Sequence, residues 1–290
     1  MNGFGVSLFH MRWFLFIVLC FSLITCAYGL KPRGQYLTEP DNISFPGYNH
    51  CTLLTADGLQ LYAWWLPTHS KHKRRLTFVV AGGDSGNMSM WLPLASTLNA
   101  NGIDVFLFDY RGFGLSAAYV DHFTMDSNYL YYNEFTEDLK AVIRCARQAT
   151  FSKGNKIALY AFNIGTIIAA RAWPDAPPDY FIGEGMITNP MVAQQRLEQF
   201  YGQKMTLPAD ANKHQFRSGL AFPKKMLLFA GERDSVSTVA DCLEFRRLGR
   251  PGVTIQTFDG GHSSTSILAD CSTGRPYLKA MLRYLSITSK

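Results

Sequence analysis

Three short segments carry side chains able to do chemistry together. Ala161-Phe162-Asn163-Ile164-Gly165 joins the apolar run Lys156–Ala161 directly to the helical pattern Ile164–Ala172. So sharp a strand-to-helix reversal needs small flanking residues, because larger side chains would collide with neighbouring backbone, and it thrusts its middle residue, Asn163, outward. Glu232-Arg233-Asp234 follows the apolar run Lys225–Gly231 and supplies a carboxylate. Asp259-Gly260-Gly261-His262 follows Val253–Phe258 and delivers an imidazole on a glycine-softened loop. A carboxylate beside an imidazole orients it and supports its positive charge, so the ring can take a proton from a hydroxyl or a water placed against it. Asn163 is the odd member of the set. A carboxamide nitrogen is delocalised, and histidine cannot activate it as it would a hydroxyl.

The elements that must position these residues follow from periodicity. Cys51–Pro67 reads as an opening antiparallel β-hairpin turning at Asp57-Gly58. Leu76–Ala81 is a continuous apolar run of the kind buried on both faces, followed by Gly82-Gly83-Asp84-Ser85-Gly86 and a helical pattern through Asn99. Strand patterns recur at Asp104–Tyr110, Lys156–Ala161, Gly185–Thr188, Lys225–Gly231 and Val253–Phe258. Between and after them come helical patterns at Glu134–Ala149, Ile164–Ala172, Val236–Leu248 and Tyr277–Leu285. This alternation predicts an α/β fold with a mainly parallel central sheet, right-handed crossovers and helices on both faces. Ligands of such sheets meet the carboxyl ends of the strands, where Asn163, Asp234 and His262 fall. From Asn189 to Pro223 the pattern weakens; this stretch is read as a short cap over a pocket or, alternatively, as a surface connection.

With 47 % apolar and 17 % charged residues in 290, the chain can build one large core, and disorder is excluded. The formal charge of +6 is scattered apart from Lys71, Lys73, Arg74 and Arg75, which read as a solvated loop. No Walker-type glycine loop or zinc-type Cys/His spacing occurs, and His50, His69, His72, His122 and His214 have no partner at metal-ligand spacing, so neither a nucleic-acid partner nor a metal is expected. Residues 1–29 read as a leader, with 30–290 as a single domain. Arg12 precedes the apolar run Trp13–Cys26, and Ala27-Tyr28-Gly29 suits cleavage before Leu30; alternatively Leu23-Ile24-Thr25-Cys26 resembles a lipobox that would acylate Cys26. The chain is therefore expected to be exported, with a membrane tether through Cys26 or the apolar segment as the other outcome. Cys51, Cys145, Cys242 and Cys271 remain outside the leader and permit three pairings, of which Cys242 with Cys271 is the first to test; free buried thiols are the alternative. Asn42-Ile43-Ser44 and Asn87-Met88-Ser89 match glycosylation acceptors.

From about Thr52 onward the chain resembles the α/β-hydrolase superfamily, and in particular its serine-aminopeptidase-like branch. The resemblance rests on Asp57-Gly58-Leu59-Gln60-Leu61, Trp64-Trp65-Leu66-Pro67 and, above all, Asp109-Tyr110-Arg111-Gly112-Phe113-Gly114-Leu115-Ser116. It implies hydrolysis of ester, amide or thioester bonds with no cofactor, through a nucleophile, an acid and a histidine in that chain order. Those roles fall on Asn163, Asp234 and His262, so the serine of the family's Gly-x-Ser-x-Gly is missing. The family's His-Gly after the first parallel strand is here Ala81-Gly82-Gly83, but backbone N–H groups of Gly83 and Ile164 still suit an oxyanion hole, which needs only main-chain donors.

Three functions follow as expectations. The chain is a pseudoenzyme binding a small acyl or peptide-like ligand or a protein; or it hydrolyses through a His262-activated water or a modified Asn163; or it is a structural module in which Asp234 and His262 merely fasten loops. Thr166, Ser85 and Ser264 are hydroxyls near the site in sequence, read as a helix interior, a loop residue and a cap.

Overall fold

Buried apolar runs become the interior strands of an eight-stranded sheet. The computed structural model describes residues 30–43, 45, 47–116, 133–149, 152–211, 225–248, 252–262, 265 and 276–287. The strands are β1 (Lys31–Pro32), β2 (Asn49–Leu54), β3 (Gln60–Leu66), β4 (Leu76–Ala81), β5 (Ser85–Gly86), β6 (Asp104–Phe108), β7 (Lys156–Phe162), β8 (Tyr180–Glu184), β9 (Met226–Gly231) and β10 (Val253–Phe258). The helices are α1 (Leu92–Ala100), α2 (Glu134–Gln148), α3 (Ile164–Ala172), α4 (Pro190–Tyr201), α5 (Val239–Arg247) and α6 (Pro276–Ile287). The β2–β3 hairpin joins the sheet antiparallel to β6, and β6, β4, β7, β8, β9 and β10 run parallel. The mainly parallel α/β sheet read from the sequence is thus borne out.

Alternation along the strands divides the core in two. In β4, Val79 and Ala81 belong to one apolar layer with Phe135 and Leu139 of α2 and Ile167 of α3, while Phe78 and Val80 join the other with Leu98 of α1 and Met281 of α6. Helices on both faces explain why every residue of β4, β8 and β9 is buried.

Several boundaries differ from the sequence reading. The strand expected at Gly185–Thr188 lies instead at Tyr180–Glu184, because Gly185 takes a left-handed φ of 59° that ends extended structure there. Glu184, the charged last residue of β8, is fully buried and accepts the Tyr160 hydroxyl at 2.8 Å. Helix α5 starts at Val239 rather than Val236, since Thr238 and Asp241 form a capping box. The segment expected as a cap opens with the regular helix α4, bounded by Asn189 and a left-handed Gly202; residues 212–223 of that segment lie outside the described residues. Cys242 is a free buried thiol on α5, so the pairing with Cys271, which lies outside the described residues, is not formed; Cys51 and Cys145 are free as well. Residues 71–75 are exposed, as a solvated basic loop should be. Asn87 is buried, its amide donating to the carbonyls of Arg33 and Gln35, which rules out that acceptor; Asn42 is exposed. No described helix is long and apolar enough to cross a membrane, and residues 1–29, with Cys26, lie outside the description.

The octapeptide beginning at Asp109 is a fastener. Asp109 accepts from Met88 N at 2.6 Å and Tyr36 Oη at 2.8 Å, tying β6 to the loop after β4. Arg111 bridges Asp57 of the hairpin turn at 2.7 Å and the buried Asp138 of α2 at 2.6 Å. Burial raises the Asp109 carboxyl to about 6, with the hydrogen bonds from Met88 and Tyr36 opposing it. A carboxyl raised above its unfolded value binds more protons when folded, so its contribution to stability is full below about pH 4 and falls away as pH rises through about 6. The stability of wild type minus Asp109→Asn, from urea melts, is therefore expected to fall by at most about 3 kcal/mol between pH 4 and 6.5; a pH-independent difference would contradict it.

Candidate active site

The order in which strands join the sheet reverses at β4, with β6 added on one side and β7 on the other, and the loops after the parallel neighbours β4 and β7 meet there. Asn163 sits at that meeting point with φ 50° and ψ −118°, a conformation L residues avoid. The surroundings impose it. A Cβ placed on Gly165 would lie 2.4 Å from the Ala81 carbonyl oxygen and 2.6 Å from that of Gly82, so α3 starts against the end of β4 at a separation only glycine allows. Asn163 N donates to Glu184 O at 2.9 Å, and Asn163 O accepts from Thr166 N and, at 2.7 Å, from Thr166 Oγ1. Thr166 is thereby spent inside the helix, Ser85 is an exposed residue of β5, and Ser264 lies outside the described residues.

Asp234 and His262 arrive from the ends of β9 and β10, whose loops touch: Arg233 N donates to Gly260 O at 2.9 Å. His262 Nδ1 lies 3.1 Å from both carboxylate oxygens of Asp234, with both side chains almost wholly buried. Asp234 also accepts from Val236 N at 2.8 Å, Ser237 N at 2.9 Å and Ser237 Oγ at 2.6 Å. Burial would raise this carboxyl, but the hydrogen bonds and charge of His262 and the bonds from Ser237 outweigh it and hold the pKa below the ordinary range. Asp234 is therefore ionised, which places a proton on Nδ1 and, in the neutral form of the ring, leaves Nε2 as the acceptor.

Nε2 faces the Asn163 amide, with Nδ2 at 3.3 Å. Asn163 Oδ1 is buried without a hydrogen-bond partner. The structure thus brings together all three side chains read from the sequence. The two backbone candidates flank them: Ile164 opens α3, where first-turn N–H groups lack helical partners, and a Cβ on Gly83 would lie 3.8 Å from that of Asn163. Two neighbours escaped the sequence reading. Ser237 lies three residues after Asp234, a spacing typical of side-chain-to-backbone turns that could have signalled it. Asp84 follows Gly83; burial raises its carboxyl, and the charge of His262 partly offsets this. No group of three or more potential metal ligands occurs among the described residues.

A non-glycine residue in this backbone conformation costs about 1–3 kcal/mol, and a buried unsatisfied carbonyl a similar amount. Asn163→Gly is expected to raise the unfolding free energy by about 1–2 kcal/mol, more than Asn163→Ala, which removes the amide but keeps the strain. Denaturant melts finding Gly no more stable than Ala would show the turn to be unstrained.

Comparison with known proteins agrees with this fold. The serine aminopeptidase S33 family matches residues 72–213. The uncharacterized protein YfhR of Salmonella typhi is 36 % identical over 108 residues, 34 % of this chain and 37 % of that protein, and its Escherichia coli K12 counterpart is 44 % identical over 62 residues, 21 % and 22 % of the two chains. The chain therefore aligns with well under half the length of these relatives. An esterase from Pyrococcus furiosus superposes with a TM-score of 0.70 at 18 % identity, covering 89 % of this chain and 97 % of its own. A lidless serine hydrolase from Xanthomonas campestris gives 0.53 at 19 % identity over 75 % and 86 %. The chain has the α/β-hydrolase fold and is similar, over residues 72–213, to the serine aminopeptidase S33 family.

Proposed function

We propose that this chain is a disarmed α/β-hydrolase, keeping the carboxylate–imidazole pair but no covalent nucleophile, and that its site binds a small acyl, ester or peptide-like ligand. One observation carries the reading: the Nε2 lone pair that would take a nucleophile's proton is occupied at 3.3 Å by the Asn163 amide, a group that neither ionises nor attacks. Backbone donors at Gly83 and Ile164 suit a ligand carbonyl oxygen, so binding survives where turnover does not. The esterase among the structural neighbours supports an ester-like ligand.

A second reading, hydrolysis by a His262-activated water, draws on the two 3.1 Å contacts between Asp234 and His262. It requires the Asn163 amide to leave Nε2 so that a water can take its place. The two readings separate in a p-nitrophenyl ester screen of wild type, Asn163→Ser, His262→Ala and the double variant. We expect wild type to match His262→Ala and Asn163→Ser to exceed both by at least about a thousandfold, since the serine accounts for most of the rate in such sites. Wild-type turnover equal to that of Asn163→Ser would overturn the disarmed reading. Wild-type turnover that needs His262, with an unmodified Asn163 peptide by mass, would favour water activation.

A further inference from the structure

We propose that Arg196 of α4 is a positioning residue for the Asp234–His262 pair, holding the carboxylate loop in the orientation that reaches the imidazole. The inference rests on the reading above, in which that pair serves the site, and deepens it by naming what holds it.

Asp234 lies on a connection between β9 and α5 whose first residues are tied to β10 and its loop, Glu232 N donating to Phe258 O and Arg233 N to Gly260 O, both at 2.9 Å. Its carboxylate accepts from Val236 N and Ser237 N, which makes its orientation depend on where the residues after it are held. The half of the connection that follows Asp234 is tied to α4. Arg196 Nη1 donates to Val236 O at 2.8 Å, and the same guanidinium forks onto Asp241, Nη1 on Oδ2 and Nη2 on Oδ1 at 3.2 Å. Asp241 also accepts from Thr238 N at 2.9 Å and Thr238 Oγ1 at 2.8 Å as part of the box that starts α5. One side chain thereby joins both ends of the stretch from Val236 to Asp241. Tyr201, on the last turn of α4, meets Ser235 Oγ with its hydroxyl at 3.0 Å, gripping the residue directly after Asp234.

The planar fork matters. A guanidinium serves a carbonyl and both oxygens of a carboxylate at once, whereas an ammonium is a point charge with no such geometry. Arg196 also borders a cavity of about 190 Å³ with Asn189 and Glu244, so a smaller side chain there leaves room for water rather than a collapsed core. Arg196 acts on His262 only through Asp234. If the loop swings by even an ångström, Nδ1 loses its ionised partner and the proton is no longer confined to that nitrogen.

The test is ¹⁵N NMR of the His262 ring in the otherwise wild-type chain, comparing Arg196→Gln and Arg196→Lys, with the same changes assayed kinetically on Asn163→Ser. We expect a single Nδ1–H tautomer in wild type and mixed tautomers with faster proton exchange in Arg196→Gln. Arg196→Lys should restore melting temperature more than tautomer purity. In the Asn163→Ser background, Arg196→Gln should lower kcat roughly tenfold to a hundredfold with KM held within about twofold. Should Arg196→Gln not fold, Asp241→Asn and Tyr201→Phe each remove one link and are read the same way. An unchanged tautomer in the folded variants would overturn the proposal. If Asn163→Ser proves inactive while the tautomer shifts, the proposed function fails and the positioning role stands.

Discussion

Helix α3 begins so near the end of β4 that a single methyl group on Gly165 would lie 2.4 Å from the Ala81 carbonyl oxygen. That close approach compresses the β7-to-α3 connection into one residue and forces Asn163 to a φ of 50°. Everything chemical in the molecule is arranged around the point so created. The loop after β4 passes beside it, Glu184 at the end of β8 accepts its backbone N–H, and the loops after β9 and β10 bring Asp234 and His262 to its side chain. Backbone strain of this kind persists only where surrounding contacts over-determine it. Here the buried sheet, both helical layers and the glycine contact do so together.

The two ends of the site are held by different physics. On the β4 and β6 side, Asp109 and Arg111 act as buried polar anchors: removing one partner would leave a desolvated charge, so the loop geometry is fixed at high cost of deviation. On the β9 side the connection to α5 is short and partly exposed, and order comes from carboxylates that accept several donors each. Asp234 and Asp241 are both held below the usual carboxylate range, burial opposing and hydrogen bonding prevailing. The imidazole is therefore oriented by a charge that is itself oriented by its loop.

Asn163 fits its neighbours in an instructive way. Its amide nitrogen can donate to an unprotonated Nε2, and a half-turn of the carboxamide would present Oδ1 to a protonated Nε2 instead. A serine hydroxyl can also donate to Nε2, but it can then lose that proton and attack. The carboxamide keeps the hydrogen bond and omits the reaction, which is why the site can look complete in geometry while lacking an attacking atom.

Much of this was legible in the chain itself. Periodicity located β4, β7, β9 and β10, and strand-end logic then put Asn163, Asp234 and His262 in one place, because a parallel sheet gathers its carboxyl ends at one edge. Reading failed where burial overrode residue type. Glu184 belongs to a strand although it is charged, since Tyr160 satisfies it in the interior, and the strand was consequently sought five residues too late. The sequence alone determined the order of elements, the reactive side chains and the absence of a hydroxyl at the turn, since these depend on local pattern and residue chemistry. Only the tertiary structure decided that Asn87 is buried and Asn42 exposed, that Cys242 is a free thiol, that Ser237 meets the imidazole, and that Arg196 grips the Asp234 loop. Each of those facts depends on residues distant in sequence coming within a few ångströms, and that distance is set by helix and sheet contacts that no local window contains.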